Sequence, residues 1–158
     1  MQFLKIPSAY LKLDFGKEGL RTIRLVEKRR NLSKPLSIEQ KRVLQQLNDY
    51  FNGSKIDIRV RVDWAGISDT NRRILKATQK IKYGEVRTYG EIAKRTGTKQ
   101  GARAVGQALA NNPLPIVIPC HRVINQDGRI GGYRWGSKWK EKLLTLEGKK
   151  ILKGKVIN

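Results

Sequence analysis

The pentapeptide Pro119-Cys120-His121-Arg122-Val123 places the only cysteine and the only histidine of a 158-residue chain side by side. A thiolate is the strongest side-chain nucleophile, and an imidazole is the usual base that generates one. The apolar run Pro115-Ile116-Val117-Ile118 leads directly into the pair. This placement points to nucleophilic chemistry, although the pair alone also fits a buried structural thiol beside a surface histidine. A single cysteine excludes an internal disulfide and makes a reducing compartment the expected setting. It also excludes a zinc site built from several Cys and His ligands, so no metal and no other cofactor is expected.

Charge supplies the second constraint. Thirty-four Lys and Arg against 13 Asp and Glu leave a formal net charge of +21. A chain this basic is expected to meet a polyanion, nucleic acid being the commonest. The charged surface of a thermophile usually raises Glu alongside Lys, whereas here acids are scarce. No stretch approaches the roughly 18 apolar residues of a membrane span. The segment Met1-Gln2-Phe3-Leu4-Lys5-Ile6-Pro7 lacks a signal peptide's apolar centre. A cytoplasmic protein without membrane contact is expected, or a nuclear one in a eukaryote.

The elements around the pair read as two small domains, residues 1–65 and 66–158, packed directly together in a mixed α/β (α+β) fold. Leu11, Leu13 and Phe15, a Gly16-Lys17-Glu18-Gly19 turn, and Leu20, Ile23 and Leu25 predict a β-hairpin. The cluster Lys28-Arg29-Arg30-Asn31, with Pro35, reads as a solvated loop. Ser37 and Gln40 form a capping box for a helix carrying Val43, Leu44, Leu47, Tyr50 and Phe51, closed by Gly53. Ile56, Ile58, Val60 and Val62 alternate with polar residues, which predicts a strand buried on one face. Trp64-Ala65-Gly66 marks the joint. Ser68 or Asp69 then caps a helix with the buried stripe Ile74, Leu75, Thr78 and Ile81, ending at Tyr83-Gly84.

Residues 88–112 have the pattern of a helix-turn-helix. A first helix over 89–95 buries Ile92 and Ala93, and Gly97-Thr98-Lys99-Gln100 supplies the turn. A second helix buries Ala102, Val105 and Leu109 and leaves Arg103, Gly106, Gln107 and Ala110 outside. An ordinary helical hairpin has the same periodicity. The outer face is mostly small, whereas reading base edges across a wide major groove calls for long polar side chains. Small residues let a helix backbone approach a narrow groove while one long cation, Arg103, projects.

Taken together, these residues resemble the O6-alkylguanine-DNA alkyltransferase family. The resemblance covers about residues 68–148 and is strongest in Asn112-Pro113-Leu114-Pro115-Ile116-Val117-Ile118-Pro119-Cys120-His121-Arg122-Val123. Supporting segments are Tyr83-Gly84-Glu85-Val86-Arg87-Thr88-Tyr89-Gly90-Glu91-Ile92-Ala93, Ala102-Arg103-Ala104-Val105-Gly106, Gly131-Gly132-Tyr133 and Leu146-Glu147-Gly148. The resemblance implies a ribonuclease-H-like N-terminal domain beside a mainly helical, DNA-binding, alkyl-accepting C-terminal domain. It implies direct repair by a single-turnover methyltransferase, without a cofactor. O6-alkylguanine, and O4-alkylthymine as a further candidate, is flipped out of double-stranded DNA and gives its alkyl group irreversibly to Cys120. Flipping is needed because a stacked base is out of reach.

By the same resemblance His121 takes the thiol proton through a water, Glu147 orients and stabilises the imidazolium, and Asn112 braces the turn before the active-site strand. Tyr89 rotates the target phosphate and protonates the departing guanine. Arg103 enters the base stack, Ala102, Gly106 and Arg122 join the DNA contact, and Tyr133, Val123 and Cys120 line the substrate pocket. The partner implied is lesion-containing duplex DNA, gripped through the minor groove by a monomer. Many relatives carry a small residue and paired glycines after the position of Tyr133. Here Arg134-Trp135-Gly136 stands there, which is expected to narrow the pocket or alter its preference for larger alkyl groups. Some relatives hold a structural zinc in the N-terminal half, for which this chain lacks ligands. Two other classes remain at this point. One is a non-catalytic lesion sensor, which in the alkyltransferase-like relatives lacks the cysteine. The other is a cysteine hydrolase, which usually draws its Cys and His from separate segments.

Overall fold

In the computed structural model, which describes residues 1–28 and 35–157, the chain divides into two units, Met1–Ala65 and Gly66–Asn158. In the first, strands β1 (Gln2–Ile6), β2 (Ala9–Phe15) and β3 (Leu20–Val26) form an antiparallel sheet in that order. The expected hairpin is β2–β3, with Leu11 opposite Leu25 and Leu13 opposite Ile23. At the turn Gly19 has φ +142°, and a Cβ there would lie 2.3 Å from the Arg61 carbonyl oxygen, so only glycine fits. Helix α1 (Ile38–Phe51) begins with the reciprocal Ser37–Gln40 capping box and buries Val43, Leu47 and Tyr50. The basic cluster lies, from Arg29 to Asn31, outside the described residues.

The strand expected over 56–62 does not form. Its alternation survives only in part: Ile58 is buried and Arg59 and Arg61 exposed. The Arg59 backbone is instead satisfied by a side chain. The Gln46 amide of α1 accepts from the Arg59 N–H at 2.8 Å and donates to the Arg59 carbonyl at 3.1 Å. Only Val62 bridges to Leu20. Asp63 then anchors the segment to β3 through the Arg21 guanidinium at 2.7 Å.

The second unit contains α2 (Asp69–Gln79), a two-stranded parallel pair β4 (Arg87–Thr88) and β5 (Val123–Ile124), α3 (Tyr89–Thr96), α4 (Gly101–Ala110) and α5 (Ser137–Leu146). Helix α2 is capped by Ser68 and stops at Gln79, before Tyr83-Gly84, because the chain turns at Lys80 and buries Ile81 from the turn. Helices α3 and α4 form the helix-turn-helix. Thr88 and Glu91 make a capping box for α3, and Gly97 ends it in a left-handed conformation at φ +61°. Behind them α2 packs on both helices, and Ile74, Ile92, Val105, Leu114, Ile118, Leu143 and Leu144 are buried. The basic tail folds as a hairpin of β6 (Lys150–Leu152) and β7 (Lys155–Ile157). It is held to residues 128–130 by the Ile130 N–H to Gly154 carbonyl and Val156 N–H to Gly128 carbonyl bonds. Among the described residues no helix is long and apolar enough to cross a membrane.

Candidate active site

Cys120 opens a single 3-10 turn, Cys120–Arg122, rather than the strand expected there. The chain reaches it from α4 through a tight loop in which Ile116 adopts φ +78°. That conformation costs a β-branched residue on the order of 1–3 kcal/mol and persists only where the surroundings over-determine it. Asn112 does so. Fully buried, it accepts from the Leu114 N–H at 3.0 Å and donates to the Ile118 carbonyl at 2.8 Å and to Cys120 Sγ at 3.1 Å. One side chain thus fixes the loop and touches the thiol. Burial pushes the Cys120 thiol up from its ordinary value, with the Asn112 hydrogen bond and the Lys140 charge pulling the other way. The resting thiol is protonated.

His121, the next residue, is completely buried and its Nε2 lies 2.9 Å from Glu147 Oε1. Glu147 is the C-cap of α5 and also accepts from the Gly84 N–H at 3.2 Å. Burial lowers the His121 pKa against the raising effect of Glu147, so the imidazole rests neutral. Burial raises Glu147, but the His121 hydrogen bond and the Arg122 guanidinium outweigh it and bring its carboxyl to about 2. A neutral base therefore sits against a fixed negative charge, ready to be stabilised once it takes a proton.

Arg122 corrects the sequence-based reading. Expected on the DNA face, it is 3% exposed and faces inward. Its Nε lies 2.8 Å from Glu147 Oε2, its Nη2 2.8 Å from Glu147 Oε1, and its Nη1 2.6 Å from the Ile81 carbonyl oxygen. A buried carboxylate is costly unless paired, and Arg122 is the pair. The Val123 N–H bonds to the Cys120 carbonyl, and its carbonyl accepts from the Lys140 ammonium.

Beside the thiol lies a cavity of about 350 Å³ walled by Tyr89, Gly106, Ala110, Cys120, Tyr133 and Arg134. The β4–β5 pairing sets Thr88 beside Ile124, which brings Tyr89, the first residue of α3, to the cavity. Burial and the Cys120 charge raise the Tyr89 pKa, keeping the phenol protonated. Tyr133 meets His121 edge to face, with centroids 6.3 Å apart, and meets Trp135 in the same way at 5.9 Å. Arg134 reaches the Ala110 carbonyl at 3.3 Å. The Arg134-Trp135 pair thus contributes one wall residue and one aromatic brace.

A second concavity of about 420 Å³ adjoins the first, sharing Tyr89, Gly106 and Gly132 with it and adding Ala102, Arg103 and Gln126. Ala102, expected on the buried face of α4, is exposed like Arg103, and Ala108 takes a buried position instead. At Gly106 a Cβ would meet nothing within 4 Å, so the fold itself does not require glycine there.

The geometry joins a thiol, an imidazole–carboxylate pair, a cavity and a helix-turn-helix in one unit. Residues 69–149, about half of the chain, match the profile of the 6-O-methylguanine DNA methyltransferase, DNA binding domain. The chain belongs to that family. It is 46% identical over 104 residues to a methylated-DNA–protein-cysteine methyltransferase of Mycolicibacterium paratuberculosis, a match covering 66% of this chain and 62% of the relative. It is 37% identical to the Methanothermobacter thermautotrophicus protein of the same name, over 85% of this chain and 77% of that one. The crystal structure of Mycobacterium tuberculosis OGT in complex with DNA is similar at a TM-score of 0.80 and 38% identity, with 92% and 90% of the two chains covered. A similar fold, at a TM-score of 0.69 and 25% identity, occurs in the O6-methylguanine-DNA methyltransferase of Pyrococcus kodakaraensis, covering 93% of this chain and 97% of that one.

Sequence reasoning missed Lys140. This α5 residue is fully buried, donates to the Val123 carbonyl at 2.6 Å and to the Gly132 carbonyl at 3.3 Å, and lies 5.8 Å from the Tyr89 ring centroid. Burial lowers its pKa from 10.5 to about 8, with the Cys120 charge acting in the opposite direction. In a chain with 34 basic residues one more lysine carries no signal. The available clue is its helical register, four residues before Leu144 and three before Leu143, both buried.

Proposed function

We propose that the protein repairs double-stranded DNA by moving the alkyl group of O6-alkylguanine, once and irreversibly, to Cys120. The observation that carries the reading is the Cys120 thiol at the wall of a cavity sized for a small-molecule site, with the His121–Glu147 pair behind it. Family membership and the DNA complex of the mycobacterial relative support it.

The chemistry follows from the groups present. A base inside the stack is out of reach, so the lesion nucleotide turns into the cavity. Helix α4 enters the minor groove with its small face, Ala102 and Gly106, against the backbone, and Arg103 fills the vacated space. As the C–S bond forms, the C–O6 bond breaks. The thiol proton passes, through a water, to His121, and Glu147 stabilises the imidazolium. The departing guanine anion takes a proton from the Tyr89 phenol. Arg122 keeps Glu147 ionised, and Lys140 favours the thiolate electrostatically and orders the Val123 and Gly132 carbonyls. Tyr133 forms a wall of the pocket. The resulting thioether is stable, so one chain repairs one lesion, acting as a monomer in the cytoplasm.

The test is a transfer assay with duplex DNA carrying alkyl-labelled O6-alkylguanine. Label should accumulate on the protein to one equivalent and no further. Cys120→Ala should retain DNA binding and take up none. Label uptake by Cys120→Ala, or continued turnover beyond one equivalent, would refute the reading.

A further inference from the structure

A third concavity, of about 400 Å³, lies between α2 and the C-terminal end of α3. Arg72, Arg73 and Lys76 line it from α2, Lys80 from the turn that follows and Arg95 from α3, with Asp69 the acid among them. Arg73, Lys76, Lys80 and Arg95 are exposed. It shares no lining residue with either concavity beside Cys120 and α4. Tyr89 at the start of α3 belongs to those two, while Arg95 and Thr96 at its end belong to this one.

A solvated charged helix face is the ordinary explanation of such residues, and the helix dipole favours Lys76 and Lys80 near the C-terminus of α2. Neither accounts for the whole arrangement. Arg72 and Arg73 lie in the earlier part of the helix, where the dipole offers no gain. A second helix then adds Arg95 to the same groove. A concave row of cations from two elements complements a line of anions spaced along a backbone, the charge pattern of a nucleic acid strand.

We infer that this groove binds the phosphate backbone of a second duplex DNA segment, independently of the segment held by α4. The inference goes beyond alkyl transfer and does not require it. Its consequence is that one molecule can hold two stretches of DNA without sequence preference, with a strong dependence on salt.

The experiment measures binding stoichiometry with an unmodified short duplex of about 10 base pairs, one helical turn, at low and moderate salt. The wild-type chain should bind two duplexes, the weaker event falling steeply as salt rises. Lys76→Glu combined with Lys80→Glu should bind one duplex with the affinity of the stronger event, while far-ultraviolet circular dichroism and thermal midpoint stay near wild type. Alkyl uptake from a lesion duplex, measured in parallel, should be the same in both proteins, so failure of transfer chemistry is read separately from failure of the groove. One duplex per wild-type chain would overturn the inference. So would a variant that still binds two, or one whose stronger event is weakened, which would make the groove part of the first footprint.

Discussion

Arg122 and Arg103 carry the same guanidinium into opposite environments. Arg122 is 3% exposed and closed on Glu147 and the Ile81 carbonyl. Arg103 is exposed on the outer face of α4, beside a concavity. In the Arg122–Glu147 pair behind His121, charge is dehydrated and matched, so it acts by fixing geometry and protonation, and salt screens it little. On α4 the charge is hydrated and available, so it acts on whatever approaches and is screened. The lesson is that a count of basic residues describes the second kind of surface and conceals the first.

The sharpest way to break this contrast is to remove each arginine. Arg122→Leu leaves Glu147 buried without its guanidinium partner, which is expected to cost about 3–5 kcal/mol, with little dependence on salt. Denaturant unfolding at two ionic strengths measures it. Arg103→Ala should change stability by no more than about 0.5 kcal/mol. It should weaken DNA binding and lower the slope of log affinity against log salt by about one. Comparable stability losses in the two variants would erase the distinction.

Lys140 sharpens it from the other side, as a buried cation bearing a desolvation cost. Its pKa falls from 10.5 to about 8 on folding, which corresponds to a penalty on the order of 3 kcal/mol at neutral pH. Below pH 8 both folded and unfolded chains carry the charge, and the folded one bears the full cost. Between pH 8 and 10.5 only the unfolded chain stays protonated, so rising pH removes the penalty. Lys140→Met should therefore match or exceed the wild-type stability at pH 7, despite losing two hydrogen bonds, and lose that advantage as pH approaches 10.5. Its alkyl transfer should be slower. Destabilisation at pH 7 that persists unchanged through this window would show that the lysine is held for structure alone.

The smallest expected effect lies on α4. Glycine inside a helix costs roughly 1 kcal/mol relative to alanine, and nothing in the protein would touch a Cβ at Gly106. Gly106→Ala should thus raise stability by about that amount while weakening DNA binding. Stabilisation with unchanged affinity would remove the close approach of this helix to DNA.

These contrasts also explain what could be read from the chain beforehand. The helix-turn-helix was legible because Ile92, Ala93, Val105 and Leu109 repeat at helical spacing and Gly97 supplies the left-handed stop. The thiol and imidazole were legible because each is unique. Features decided by distant partners were not. The 56–62 segment alternates like a strand, yet the Gln46 amide satisfies Arg59 and only Val62 joins a bridge. Strand β1 depends on β2 for its pairing. Arg122 reads as one more surface cation until Glu147, 25 residues away, is known to sit against it.

The most direct measurement is the mass of the intact protein, followed by peptide mapping, after incubation with duplex DNA containing one O6-methylguanine. The expected result is a gain of a single methylene equivalent per chain, on the peptide containing Cys120, with unmodified guanine left in the DNA. No gain despite tight lesion binding, or a gain on any other residue, would contradict it.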